Sequence, residues 1–297
     1  MALKYKPRYI LEYMGIKFVL VLFVILPWRL VLCFGWFVAF IAYYVFRIGV
    51  KESHKRIKSV FGDKYTDKEI NKIAWLAFRN FIFNCMELPK LNGVSDKWLK
   101  KHCDVTLAVK HMKDCMPGGG GAILALPHMG GWFVAAAAAA NDGLELCAIA
   151  GVQRNPLFNK AEKDLNAKIG IKTYFRGTGE MSGVIRAVKG GKVLAVLPDV
   201  RSRIKGVSVD FLGGTANFGR GVPRFSIECN VPVFPCVILR KGWMQHSIQL
   251  MEPIFPGEEN SPEVVERILK DVMKSIEQAI LENPEQWFWF NKRWVLD

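Results

Sequence analysis

Residues 125–140 read ALPHMGGWFVAAAAAA. An apolar run, Ala122–Leu126, leads into them, and an alanine-rich run of strong helix formers closes them. Between the two stand Pro127, His128, Gly130 and Gly131. Strand, tight turn and helix in that order are the building unit of an α/β sheet. The alternation continues downstream. Short apolar runs at Cys147–Ala150, Lys172–Phe175, Val193–Leu197, Val207–Phe211, Val233–Leu239 and Ser247–Met251 predict strands. Helical patterning predicts helices at Gly131–Ala140, Pro156–Ile169, Met181–Lys189, Gly219–Glu228 and Pro262–Leu281. The expected fold class is α/β, a mixed central sheet covered by helices.

Ligands of open α/β sheets gather beyond the carboxyl ends of the strands. His128, Arg154, Arg176, Asp199 and Arg201 each follow a predicted strand. Gly130 and Gly131 permit a tight turn, so the His128 ring can face a cleft while the next helix begins. Taken alone, His128 fits a satisfied core histidine equally well. Asp199 likewise fits a turn or cap residue.

The 297 residues carry a net charge of +14, are 51% hydrophobic and have a mean hydropathy of +0.15. Such a surplus of cations calls for an anionic partner. In a chain this apolar, a membrane surface is a better match than nucleic acid. Seven scattered cysteines form no CxxC pair, so a zinc knuckle or dithiol redox centre is not expected. Their odd number without clustering suits reduced thiols in a cytosol-facing domain.

Two uncharged runs, Phe18–Trp28 and Leu30–Phe46, lie near the N-terminus and are divided by Arg29 beside Pro27. The first is too short to span a bilayer and the second is near the lower limit. Lys4, Lys6 and Arg8 precede them; Arg47, Lys51, Lys55, Arg56 and Lys58 follow. Basic flanks on both sides keep both on the cytoplasmic face. An interfacial helix pair kinked at Pro27, one tilted span and a buried core hairpin all fit. We therefore divide the chain into a membrane-associating helical segment, 1–50, and an α/β domain, 51–297. Thr66 and Glu69 have the spacing of a capping box, and the helix they open is expected to end at Leu88-Pro89.

Two stretches approach nucleotide-binding patterns. GTGEMSG (177–183) follows a strand, with Asp199 near the end of the next, but its glycine spacing departs from a dinucleotide fingerprint. The glycines at 118–121 lack the Lys-Ser/Thr of a P-loop.

LPHMGGW (126–132) resembles the histidine motif of the bacterial late lipid A (lauroyl/myristoyl) acyltransferases and the related phosphatidylinositol mannoside acyltransferase. The resemblance extends over nearly the whole chain, in order. It takes in RIKSVFGDKYTDKEINKIA (56–74), Arg154-Asn155-Pro156, LPDVR (197–201), the stretch from Gly206 to Cys236, and WFWFNKRW (287–294). It implies a glycerolphosphate acyltransferase-like fold at the cytoplasmic face of a bacterial inner membrane. It also implies acyl transfer from an acyl carrier protein or coenzyme A thioester to a hydroxyl or amine of a membrane lipid or glycolipid. No metal or redox cofactor is implied. His128 would be the general base, and an imidazole titrating near working pH suits that task.

Three positions depart from the family pattern. The acidic residue expected after the histidine is Phe133, the glutamine of the LPDVR loop is Val200, and a threonine near a later helix start is Phe218. Two readings follow. Either Asp199 takes over the orientation of His128 and keeps the site catalytic, or the chain is a silent homologue that binds lipid or a partner. Arg154, Arg176 and Arg201 are candidates for a lipid phosphate or the oxyanion. Arg220 and Arg224 are candidates for headgroups. Gly130, Trp132 and Phe133 are the neighbours of the histidine.

Overall fold

The structure is a computed structural model describing residues 5–296; Lys4 of the basic flank lies outside them. Two apolar helices open the chain, α1 (Pro7–Ile25) and α2 (Trp28–Phe40). A wider turn, Ile41–Val45, prolongs α2. Leu26 and Pro27 between them are extended, because a residue before proline is driven out of the helical region. Next come α3 (Val50–Phe61), α4 (Asp67–Lys90), α5 (Asp96–His102) and α6 (Thr106–Cys115). The capping box forms: the Thr66 N–H donates to Glu69 Oε2 at 2.8 Å, and the Glu69 N–H to Thr66 Oγ1 at 3.4 Å. Helix α4 does not end at Leu88-Pro89 but runs to Lys90. A proline in the last turn forfeits a single helical hydrogen bond, so it does not stop the helix earlier.

The α/β half follows as β1 (Ala122–Ala125), α7 (Trp132–Asn141), β2 (Leu146–Gly151), α8 (Pro156–Lys168), β3 (Ile171–Arg176), α9 (Met181–Lys189) and β4 (Val193–Val196). It closes with β5 (Val207–Phe211), β6 (Gly214–Phe218), α10 (Gly221–Cys229), β7 (Val233–Arg240), β8 (His246–Leu250) and α11 (Pro262–Glu282). The main sheet has six strands in the order β3-β2-β4-β1-β7-β8. All pairings are parallel except that of the edge strand β8 with β7. Helices cover both faces, so the central strands read as apolar runs: AILA, VLAV and, before Arg240, VFPCVIL. Residues of β1 divide between two cores, Ile123 and Ala125 facing one and Ala122 the other.

The sequence pattern predicts no strand at GTANF, yet β6 forms there and pairs with β5. Leu212 and Gly213 join them with φ of 52° and 76°, the left-handed pair that a tight hairpin turn requires. The Leu212 N–H donates to Glu277 on α11, which holds this turn against the domain. Phe218 is thereby the buried end of a strand, and α10 starts at Gly221 rather than Gly219.

Parallel pairing puts the carboxyl ends of β1, β2, β3 and β4 on one edge of the sheet. His128, Arg154, Arg176 and Asp199 all lie along that edge.

Candidate active site

The turn after β1 is shaped by contacts on its far side. Gly130 has φ +60°, and a Cβ there would run into the Ile238 carbonyl of β7. A Cβ on Gly131 would meet the His246 ring. The two glycines thus seat the turn on β7 and β8, and α7 begins one residue later, at Trp132. Met129 bridges in antiparallel fashion to Trp287 and brings the C-terminal segment over the turn.

His128 and Asp199 meet across the ends of the adjacent strands β1 and β4. Nδ1 of the ring lies 2.7 Å from Asp199 Oδ1. The backbone N–H of His128 donates to Asp199 Oδ2, also at 2.7 Å. The Trp287 Nε1–H donates to the same Oδ2 at 2.8 Å. The Asp199 side chain is 0% exposed and that of His128 is 23% exposed. A carboxylate only accepts, so Nδ1 carries the proton and the lone pair lies on Nε2. Phe288 stacks on the ring, centroids 4.4 Å apart at 18°, and Trp132 meets it edge-on at 5.6 Å. The imidazole is held in plane, tautomer and direction, with its basic nitrogen on the side away from Asp199.

That arrangement decides what Phe133 can do. Its ring packs on Trp132, and its N–H donates to Oδ1 of the buried Asn84 at 3.4 Å. The nitrogen of His128 that an orienting carboxylate would engage is already held by Asp199. The chain belongs to the bacterial lipid A biosynthesis acyltransferase family. The family's model matches residues 3–295, nearly the whole chain. No curated protein matches it. Membership in this lipid A acyltransferase family agrees with the resemblance read from the motifs.

The remaining candidates are scattered. Arg154 and Arg176 are exposed at the ends of β2 and β3. In the observed strand order these lie two and three strands from β1, roughly 10 and 14 Å at the usual strand spacing. No hydrogen bond or ion pair among the described residues joins either to the dyad. An oxyanion donor must come within about 3 Å of the reacting oxygen, and the strand end that carries Arg176 is offset laterally well beyond that. Arg201 is closer. It bridges Phe218 through its backbone and donates from Nη1 to the Leu296 carbonyl at 3.1 Å, tying the Asp199 loop to β6 and the C-terminal segment. Arg220 caps the loop before β5 by donating to the Gly206 carbonyl. Arg224 is exposed one turn further along α10. Asn155 is buried, caps α8, and reaches back to α1.

Sequence reasoning did not assign Trp287 or Phe288, although both lie in the quoted WFWFNKRW segment. It also missed a buried ionic cluster behind the turn. Arg240, at the end of β7, donates from Nη1 and Nη2 to the two oxygens of Glu87 on α4, at 2.8 and 2.6 Å. His246 Nε2 lies 3.5 Å from Glu87 Oε1. Burial alone would raise the Glu87 carboxyl, but the Arg240 charge and the groups bonded to it outweigh burial and hold it down at about 2. Burial pushes the His246 imidazole below its ordinary range. Backbone groups of Arg240 exchange two hydrogen bonds with the Gln286 side chain, immediately before Trp287. The ion pair, Gln286 and Trp287 therefore form a continuous support for Asp199.

Proposed function

We propose that this protein transfers a fatty acyl chain from an acyl thioester, carried by acyl carrier protein or coenzyme A, to a lipid A-type membrane lipid or glycolipid. It works at the cytoplasmic face of the bacterial inner membrane. His128 is the general base: Nε2 takes the proton of the acceptor hydroxyl or amine as that group attacks the thioester carbonyl. The tetrahedral intermediate collapses, the carbon–sulfur bond breaks, and the imidazolium returns its proton to the leaving thiolate. Asp199 is a positioning residue that stabilises the imidazolium, as the buried acid does in hydrolytic triads. The thioester supplies an activated carbonyl, so the step requires neither metal nor redox cofactor.

The observation that carries this reading is the 2.7 Å contact of His128 Nδ1 with a fully buried carboxylate whose other oxygen accepts two more bonds. That network supports catalysis over the silent, lipid-binding alternative, which was motivated by Phe133. Arg154, Arg176 and Arg201 are assigned to substrate phosphates, and Arg220 and Arg224 to headgroups. The test is mass spectrometry of lipids from cells with the gene, without it, and with His128→Ala. The expected result is an acylated lipid present only with the wild-type gene. Identical lipid profiles in all three, with the variant folded, would leave the binding protein.

A further inference from the structure

Trp287 and Phe288 reach the dyad from a stretch that belongs to no helix or sheet strand. It follows α11 and the short turn Pro284–Gln286, and runs from 287 to 296. Within it the Trp289 N–H donates to the Trp287 carbonyl at 3.0 Å, and the Asn291 N–H to the Phe288 carbonyl at 2.9 Å. Such local turns shape the stretch but do not set where it lies against His128. The Met129 bridge and the Gln286 clamp hold its start. The Phe288 ring stacks on the imidazole, so any drift of the backbone after it would carry the ring away.

Helix α3 grips that later part. Arg56 Nη1 donates to the Trp289 carbonyl at 2.6 Å and to the Asn291 carbonyl at 2.7 Å. The guanidinium also lies over the Trp294 ring, 4.7 Å from its centroid. One half-buried side chain thus touches the stretch at three residues. The helix that carries it is seated on the same stretch. Gly49, just before α3, has φ +68°, and a Cβ there would lie 2.6 Å from Phe290 Cβ. Ser53 Oγ donates to the Gly49 carbonyl at 2.7 Å, and Ile57, beside Arg56, is fully buried. Phe290 in turn packs on Phe78 and Phe81 of α4, and Phe81 meets Trp132, the edge-on neighbour of His128.

We propose that Arg56 is a positioning residue for the His128–Asp199 pair. Its bonds go to the C-terminal stretch and not to either member of the pair. By fixing the carbonyls of Trp289 and Asn291 it holds the Phe288 ring on the imidazole and the Trp287 indole on Asp199. Arginine suits the task. Its fixed charge strengthens both bonds to the carbonyls, and its planar head covers an indole at the same time. Without those donors the two carbonyls turn to water, and the stretch gains freedom that ends at the two rings on the dyad. The imidazole then spends part of its time out of line. Misalignment slows proton transfer from a bound acceptor and leaves affinity alone, so kcat falls while KM holds. The kinetic part of this inference rests on the acyl transfer proposed above; the geometric part does not.

The test uses the full chain in detergent micelles. Arg56→Met keeps the apolar stem and removes the donors. Arg56→Lys keeps the charge but has a single nitrogen and no planar head. Arg267→Met is the control. Arg267 Nη2 donates to the carbonyls of Phe255 and Pro256, both at 3.0 Å, and so clamps another irregular stretch in the same way. Among the described residues no hydrogen bond joins that stretch to His128 or Asp199. Each protein is measured for kcat and KM with an acyl thioester and a lipid acceptor, for melting temperature, and for the low-field Nδ1 proton of nitrogen-15-labelled His128. Arg56→Met should lose roughly 10-fold in kcat at unchanged KM, the smaller end of what one charge-assisted bond is worth. Its Nδ1 proton should broaden or shift, and Arg56→Lys should lie between it and the wild type. Arg267→Met should lower the melting temperature and keep both kcat and the proton signal. A folded Arg56→Met with the wild-type kcat and signal overturns the proposal. An equal loss of kcat and signal in Arg267→Met also overturns it, by making the effect one of stability alone. If Arg56→Met does not fold, wild-type kcat and signal in Arg56→Lys overturn it instead. If the wild type transfers no acyl chain, the proposed function fails, and the proton signal alone decides the role of Arg56.

Discussion

Replacing Asp199 with asparagine separates charge and tautomer from shape. Three donors converge on this carboxylate: the backbone N–H of His128, its Nδ1–H and the Trp287 Nε1–H. An asparagine has one acceptor oxygen and must choose. With its oxygen toward Nδ1, its NH2 would face the other two donors, leaving both buried and unpaired. At about 1–3 kcal/mol for each buried donor, that costs roughly 2–6 kcal/mol. With its oxygen toward those two donors, both are satisfied and the NH2 points at Nδ1. The imidazole then only has to move its proton to Nε2. The second arrangement wins, and it removes the lone pair from the nitrogen that must act as base. Asp199→Asn should therefore lose nearly as much acyl transfer as His128→Ala, up to about 10⁴-fold by analogy with a triad bearing the same change. The assay is the initial rate with an acyl thioester and a lipid acceptor in mixed micelles, beside the nitrogen-15 shifts of the His128 ring. A folded variant with the wild-type rate, or with the proton still on Nδ1, would refute the reasoning.

The supporting groups give further tests. Trp287→Phe removes one charge-assisted bond to Asp199, worth about 1.5–3 kcal/mol, so the rate should fall roughly 10- to 100-fold with the fold intact. An unchanged rate would take Trp287 out of the positioning network. Glu87→Gln leaves Arg240 buried without its charge partner and should cost about 3–5 kcal/mol in denaturant unfolding, with much of the loss recovered when Arg240→Met is added. A cost below about 1 kcal/mol would mean that the cluster is solvated. The same cluster sets an acid limb. The Glu87 carboxyl is lowered from an ordinary 4.5 to about 2, so its contribution is complete above pH 4.5 and is lost as the pH falls through about 2. Burial lowers the His246 imidazole from 6.5, so its contribution begins to fall below that pH, where the unfolded chain takes up the proton first. Thermal melts should decline in both windows in the wild type, and His246→Gln should remove the upper decline; a flat profile would contradict both assignments. Phe133→Glu should lower stability by about 1–3 kcal/mol, the cost of a half-buried carboxylate without a partner, and should not raise turnover. Faster transfer would show that position 133 does reach the histidine.

The α/β half of the fold was legible because its strands are buried on both faces and its turns carry glycine or proline. AILA and VLAV are short, wholly apolar and bounded by glycine or proline, the pattern of strands covered on both faces. GTANF was not legible, since its pairing depends on two left-handed residues at Leu212 and Gly213, and a leucine does not announce that conformation. The end of α4 was misjudged for a related reason. Proline is a strong stop inside a helix and a weak one in its final turn, and only the position of Lys90 against the α1–α2 corner shows which applies.

The site divides along the same line. His128 and Asp199 were legible as strand-end residues because each follows a buried run directly. Which strands are neighbours was not legible. The order β3-β2-β4-β1 places Asp199 beside His128 and spreads Arg154 and Arg176 outward along the edge, although all four looked alike in the sequence. Trp287 follows no strand; it reaches Asp199 because Met129 bridges to it and Gln286 is clamped to Arg240. These tertiary links also explain the residue that first looked out of place. A carboxylate at position 133 is useful when it is the group that orients the histidine. Here the neighbouring strand delivers Asp199 to that nitrogen, and Trp287 together with the His128 backbone holds the carboxylate still. A second acid on α7 would find the Nδ1 proton already taken by Asp199. Phe133 instead extends the apolar surface of Trp132, and the side chain there is free to serve packing rather than charge.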